Sequence, residues 1–236
     1  MEVFSPNILW HGGESENGKP APAPVFGIDM IKNNCIVTAG VNESTPPVGC
    51  VRVWSIPSMK ASDGSRDNDT PKFLAELADH LGPVNTTRFS PCGRYLATAS
   101  DRQIIIYKAE SKDTWGELGE KKDTWGNVIG VKSLERLRFQ PSLTEIYDLR
   151  WSPDSSHIVA GALDNKAEII RLSSRNATSL TGHTNYVQGV AWDPCNKMVV
   201  TQSSDRTCRV HSVISCISSV SFLYFLSFIV LAFMLL

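Results

Sequence analysis

The sequence predicts an all-β fold of stacked repeat units, and three observations carry that prediction. A set of short apolar strands recurs four times along the 236-residue chain. In three of the copies an aromatic stands two residues before a proline: Phe89 and Pro91, Trp151 and Pro153, Trp192 and Pro194. An aspartate then follows in each, Asp101, Asp164 or Asp205, between two further short strands. A recurring unit of this size marks supersecondary modules that bury their apolar faces only against one another.

In chain order, the first and weakest copy runs through Val25-Phe26-Gly27-Ile28-Asp29, then residues 35–40 and 51–54. Residues 57–71 follow, with Ala61-Ser62-Asp63-Gly64-Ser65-Arg66-Asp67-Asn68-Asp69-Thr70 reading as a loop insertion by composition. The second copy has His80, residues 84–91, 95–101 and 104–107. A longer polar insertion, about 108–143, repeats Lys-Asp-Thr-Trp-Gly at residues 112–116 and 122–126. The third copy spans residues 146–153, 158–164 and 167–170, and the fourth residues 182–194, 198–205 and 208–211. Each copy reads as three strands joined by tight turns.

Composition excludes several classes of function. With 23 Lys and Arg against 24 Asp and Glu there is no basic excess to neutralise phosphates, so contact with DNA is expected only indirectly, through a partner. The six scattered cysteines form no Cys-x-x-Cys pair and read as reduced intracellular thiols. The first residues lack the basic and apolar run of a signal peptide, so the Asn-x-Ser/Thr triplets at Asn42, Asn68, Asn85 and Asn176 read as chance matches. Residues 13–19 have phosphate-loop spacing, but Pro20 stands where Ser or Thr is required and the prolines to Pro24 forbid the helix that would hold the anion. The five histidines are too dispersed for a metal motif, and no nucleophile elbow is present. No catalytic site, cofactor or metal is expected.

These copies resemble WD repeats, whose fold is the β-propeller, and the spacing of 41 between Pro153 and Pro194 suits that family. The resemblance implies, in each blade, a buried hydrogen-bonded cluster of His, Ser/Thr, Asp and an aromatic. The residues assigned to it are His80, Asp101 and Tyr107 in the second copy and His183, Ser203 and Asp205 in the fourth, where His211 takes the Trp position. Asp164 stands without a His partner. These polar groups lie between apolar strands, where an unpaired one costs roughly 1–3 kcal/mol, so they read as blade staples rather than catalysts.

Residues 8–11, 83–91, 186–194 and 204–206 further resemble the B-subunit family of chromatin assembly factor 1, its WD-repeat component, with the replication-independent histone chaperone of the same class as nearest competitor. The resemblance covers residues 1 to about 213 and implies a nuclear protein that helps deposit histones H3–H4 on DNA during replication and repair, with the large and small subunits of that factor as partners. It also implies a ring of about seven blades, of which about four are present here. Candidate partner-binding residues are Trp115 and Trp125 of the duplicated loop, with Asn185 and Tyr186. For the tryptophans the plainer reading, a duplicated loop with one Trp on the blade edge, is preferred.

The last segment, residues 214–236, is uncharged and almost wholly apolar, long enough to span a bilayer. Its flanks hold few basic residues, Arg206 and Arg209. Its residue types have uridine-rich codons, so translation into an unspliced intron near Val213 is the preferred account. The alternatives are a tail anchor placing the scaffold on the cytosolic face of a membrane, or a truncated product without function.

Overall fold

The computed structural model describes residues 13–14, 20–21, 23–31, 35–41, 48–55, 71–118, 120–122, 128–131, 134–141 and 143–213. The apolar segment 214–236, most of the 57–71 insertion and Trp125 lie outside the described residues. After a two-residue hairpin, β1 (Gly13–Glu14) and β2 (Pro20–Ala21), the chain folds into four antiparallel sheets in succession.

The first sheet is β3 (Val25–Ile31), β4 (Cys35–Val41), β5 (Gly49–Ser55) and β6 (Lys72–His80). The second holds β7 (Thr86–Phe89), β8 (Tyr95–Ala99) and β9 (Ile104–Ala109), and then, beyond a 3-10 helix at Asp113–Glu117 and the hairpin β10 (Glu120–Lys122) and β11 (Val128–Val131), β12 (Leu134–Phe139). The third is β13 (Ile146–Trp151), β14 (His157–Ala162), β15 (Ala167–Arg171) and β16 (Ala177–Leu180). The fourth has three strands, β17 (Val187–Trp192), β18 (Met198–Ser203) and β19 (Cys208–Ser212). These are four blades of a WD-type propeller. Three blades carry a fourth strand beyond the three expected from sequence, because β6, β12 and β16 are outermost and half-exposed, so their apolar signal is diluted.

The inner strands β3, β7, β13 and β17 lie side by side and stack the blades face to face. Three apolar cores fill the three joints. A blade's trailing face, toward the next blade, and its leading face, toward the previous one, alternate along every strand. In β9 both faces are covered, which is why Ile104, Ile105, Ile106 and Tyr107 are all wholly buried and read as an unbroken apolar run. Burying each such side chain stabilises the fold by about 1.5–3 kcal/mol. The proline turns close alike: Gly93, Ser155 and Asn196 occupy the same place after Pro91, Pro153 and Pro194, with φ of 75°, 60° and 60°.

Candidate functional site

The fourth blade holds the fullest polar cluster. Gly182, at φ 122°, carries the chain from β16 into the blade; a Cβ there would stand 2.6 Å from the Arg209 guanidinium. His183, next in sequence, places Nδ1 2.8 Å from Asp205 Oδ2 and Nε2 2.8 Å from Thr201 Oγ1, and Thr201 Oγ1 lies 3.1 Å from His211 Nε2. Amide and hydroxyl donors of Thr207 and the amide of Thr184 converge on Asp205 and, with His183, hold its carboxyl well below the usual range against the opposing effect of burial. Burial lowers the His211 imidazole to about 4, helped by neighbouring His183 and Arg209. Ser203, assigned to this cluster from sequence, reaches neither histidine: its hydroxyl donates to Asn185 O at 2.8 Å and accepts from Asp205 N at 3.1 Å. The cluster hydroxyl is Thr201, two residues earlier on the same strand.

The second blade departs further from the sequence assignment. His80 Nδ1 lies 2.9 Å from Ser100 Oγ and Nε2 2.7 Å from Thr98 Oγ1. Asp101 is exposed and takes no part in these bonds, because Ser100 fills the place that Asp205 holds in the fourth blade. Tyr107 turns away from Thr98 and donates to Asp79 Oδ2 at 3.0 Å, where Arg136 and Arg138 also converge from β12. Burial lowers His80 to about 4 against the pull of Asp79. In the first blade Trp54 Nε1 donates to Thr38 Oγ1 at 3.0 Å. In the third, Ala160 occupies the place of Thr38, Thr98 and Thr201, and Asp164 Oδ1 is buried without a hydrogen-bond partner among the described residues.

A second set of carboxylates, not singled out from sequence, ties blade to blade. Asp29 Oδ2 accepts from Phe89 N at 2.7 Å, and Asp148 Oδ2 accepts from Val190 N at 3.3 Å, so each caps a backbone donor of a neighbouring blade's inner strand. Asp148 Oδ1 also lies 3.2 Å from Arg88 and 3.4 Å from Arg150. Burial nevertheless lifts the Asp148 carboxyl to about 6. Trp151 Nε1 donates to Arg88 O at 2.9 Å, and Asn85 Nδ2 to Ile146 O at 3.0 Å.

Of the candidate partner residues, Trp115 is wholly buried. It donates to Gly93 O at 2.7 Å and meets Phe89 edge-on at 5.3 Å, so it belongs to the joint core and offers no surface to a partner. Asn185 is exposed and Tyr186 half-buried; the Tyr186 ring lies 6.1 Å from Tyr147, beside the rim where the inner strands begin. Leu81, 94 % exposed, and Leu163 lie in loops at the same ends of the blades. Among the described residues no group of three or more His, Cys, Asp and Glu could hold a metal ion, and no helix is long and apolar enough to cross a membrane. The cysteines described are free thiols, and burial pushes Cys35 and Cys50 up to about 12.

Stacked antiparallel blades, two of them stapled by a buried His–Thr pair, define a WD-repeat propeller. Solved structures agree on the fold: Sqt1 from Chaetomium thermophilum superposes over 82% of this chain and 44% of its own with a TM-score of 0.60 at 20% identity. The CAF1B/HIR1 beta-propeller domain matches residues 1–221, and the chain belongs to that family. It is 32% identical to the B subunit of Chromatin assembly factor 1 from Saccharomyces cerevisiae over 91% of this chain and 46% of that protein. It is also 30% identical to the corresponding Gallus gallus protein over 90% and 35%, and to Protein HIR1 of Yarrowia lipolytica over 89% and 20%. The chain thus spans less than half the length of these relatives.

Proposed function

We propose that the chain is a non-catalytic, nuclear histone-chaperone scaffold that helps deposit H3–H4 on DNA during replication and repair, as a counterpart of the B subunit of chromatin assembly factor 1. The observation that carries this reading is the family match across residues 1–221, together with 32% identity to that component in Saccharomyces cerevisiae. The geometry supports a role in binding: His80, His183, Asp29, Asp148 and Asp205 are engaged within and between blades, and the rim loops present exposed side chains such as Leu81, Leu163 and Asn185. Partners would be the large and small subunits of the factor and H3–H4, with DNA reached through them. Asn185 and Tyr186 are the rim residues assigned to partner contact, since an exposed amide beside an aromatic suits an extended polypeptide.

The test is capture of the full chain by tagged large subunit and by H3–H4, with far-ultraviolet circular dichroism to establish that the chain is folded. Capture that weakens several-fold in Asn185→Ala/Tyr186→Ala, at unchanged melting temperature, is expected. A folded chain that neither partner retains overturns the reading. The comparable likeness to Protein HIR1 makes capture by a replication-independent chaperone complex the competing outcome. Detergent-dependent extraction from membranes would instead favour a tail-anchored scaffold.

A further inference from the structure

The first three blades each end outward in a strand with one edge turned away from its own sheet: β6, β12 and β16. Such an edge is a template for another chain unless charge or a covering element blunts it. β6 carries Lys72, Glu76 and Asp79, and β11 packs against it. β12 presents exposed Glu135, Arg136 and Arg138. β16 pairs with β15 alone, and from Asn176 to Asn185 no residue is charged. It lies on the circumference of the third blade, with blades two and four on either side, so its edge does not depend on what lies beyond the first or the fourth blade.

The register fixes which groups this edge offers. Arg171 N donates to Asn176 O at 3.0 Å. Ladder bonds in an antiparallel pair fall on every second residue. Thr178 and Leu180, opposite Ile169 and Ala167, therefore turn their backbone groups to β15, and Ala177 and Ser179, both exposed, turn theirs outward. Charge around the edge has one sign. The exposed ionic side chains of the hairpin 166–182 are Lys166, Arg171 and Arg175, and its acid, Glu168, is buried. Arg171 Nε donates to His157 Nε2 at 3.1 Å, and the Arg175 guanidinium lies 5.8 Å from the Phe139 ring centroid. Among the described residues none of the three cations has a carboxylate partner.

We propose that the outer edge of β16 binds an extended acidic segment of a partner polypeptide, which adds to the third blade as a fifth strand. Its backbone exchanges hydrogen bonds with Ala177 and Ser179, and its carboxylates meet Lys166, Arg171 and Arg175. In strand addition the main-chain bonds supply affinity and the side chains supply specificity. Opposite charge speeds the encounter and fixes the register. The absence of charge on β16 itself leaves the added strand free to approach to ladder distance. The inference goes beyond the chaperone reading and does not depend on it.

The test is binding of a capped peptide of alternating valine and glutamate to the full chain, read by fluorescence anisotropy and by residue-resolved amide hydrogen exchange. Saturable binding is expected that slows exchange at Ala177 and Ser179, with none for the matching valine–lysine peptide. Ser179→Pro removes an outward N–H and no ladder bond to β15. It is expected to weaken binding about tenfold, the loss of one hydrogen bond. Lys166→Glu/Arg175→Glu is expected to release the glutamate peptide and take up the lysine one. Circular dichroism establishes that each variant is folded; if Ser179→Pro is not, the charge reversal and the exchange pattern decide. A glutamate peptide that does not bind overturns the proposal, as does binding that leaves Ala177 and Ser179 exchanging as before, which is ionic adhesion without a strand. A dimer of the chain alone that Ser179→Pro dissolves also overturns it, since the occupant of the edge is then a second copy.

Discussion

At Thr201 one buried hydroxyl stands within hydrogen-bond reach of two imidazoles, His183 at 2.8 Å and His211 at 3.1 Å. Thr201→Val keeps the shape and leaves Nε2 of both rings without its partner, so a loss of about 2–3 kcal/mol is expected in urea denaturation. Ser203→Ala, which removes the bonds to Asn185 O and Asp205 N, is expected to cost about 1 kcal/mol. Sequence could not separate the two hydroxyls: both face inward on one strand, and only the reach of His183 decides between them. Asp205 was legible because it sits in the repeated turn. Trp115 stood as a candidate partner contact because Lys112, Asp113 and Glu117 flank it in sequence, whereas its indole is buried and donates to the backbone of the turn at Gly93. Acid should also act through single residues. Unfolded histidine takes a proton below about pH 6.5, but His80 and His211 refuse it until about 4. Their stabilisation is therefore full above 6.5 and drains as pH falls toward 4. Between pH 7 and 5 this costs roughly 1–2 kcal/mol per histidine. Asp148, lifted to about 6, works in the opposite sense between about 6 and its ordinary value of 3.8 and offsets part of the loss. Urea midpoints at the two pH values measure the net fall, and His80→Gln should shrink it.

Between elements, the closeness of two blades depends on what each strand leaves out. Gly161, in β14, faces the fourth blade, and a Cβ there would meet Val187 Cγ1 at 2.7 Å and Val190 Cγ1 at 3.0 Å. Val187 is wholly buried and β-branched, so it cannot swing aside. Gly161→Ala is expected to lower stability by about 1–3 kcal/mol in thermal or urea unfolding. Gly189→Ala, whose Cβ meets the Gln202 Oε1 tip at 3.1 Å, is expected to be nearly neutral, since that side chain end can shift. If both variants unfold alike, joint packing is not what limits stability here. The second and third strands of the first three blades were legible because burial on both faces writes them as apolar runs, and in the later blades the proline turns mark their borders. The outer strands were not. In β12 the residues Glu135, Arg136 and Arg138 face water, so the strand reads as part of a polar insertion although Phe139 reaches the joint core.

For the molecule as a whole, stability is a chain of nearest-neighbour terms, as in other repeat architectures. Among the described residues, blades two and three are gripped on both sides, and blades one and four on one side. Opening an end blade therefore breaks a single joint, whereas exposing β8 or β14 requires two to part. Hydrogen exchange at low protein concentration should find the amides of β4 and β18 exchanging well ahead of those of β8 and β14, in order of blade rather than of depth within a blade. Uniform exchange would mean instead that the four blades unfold as one unit and that the joints are not separable steps.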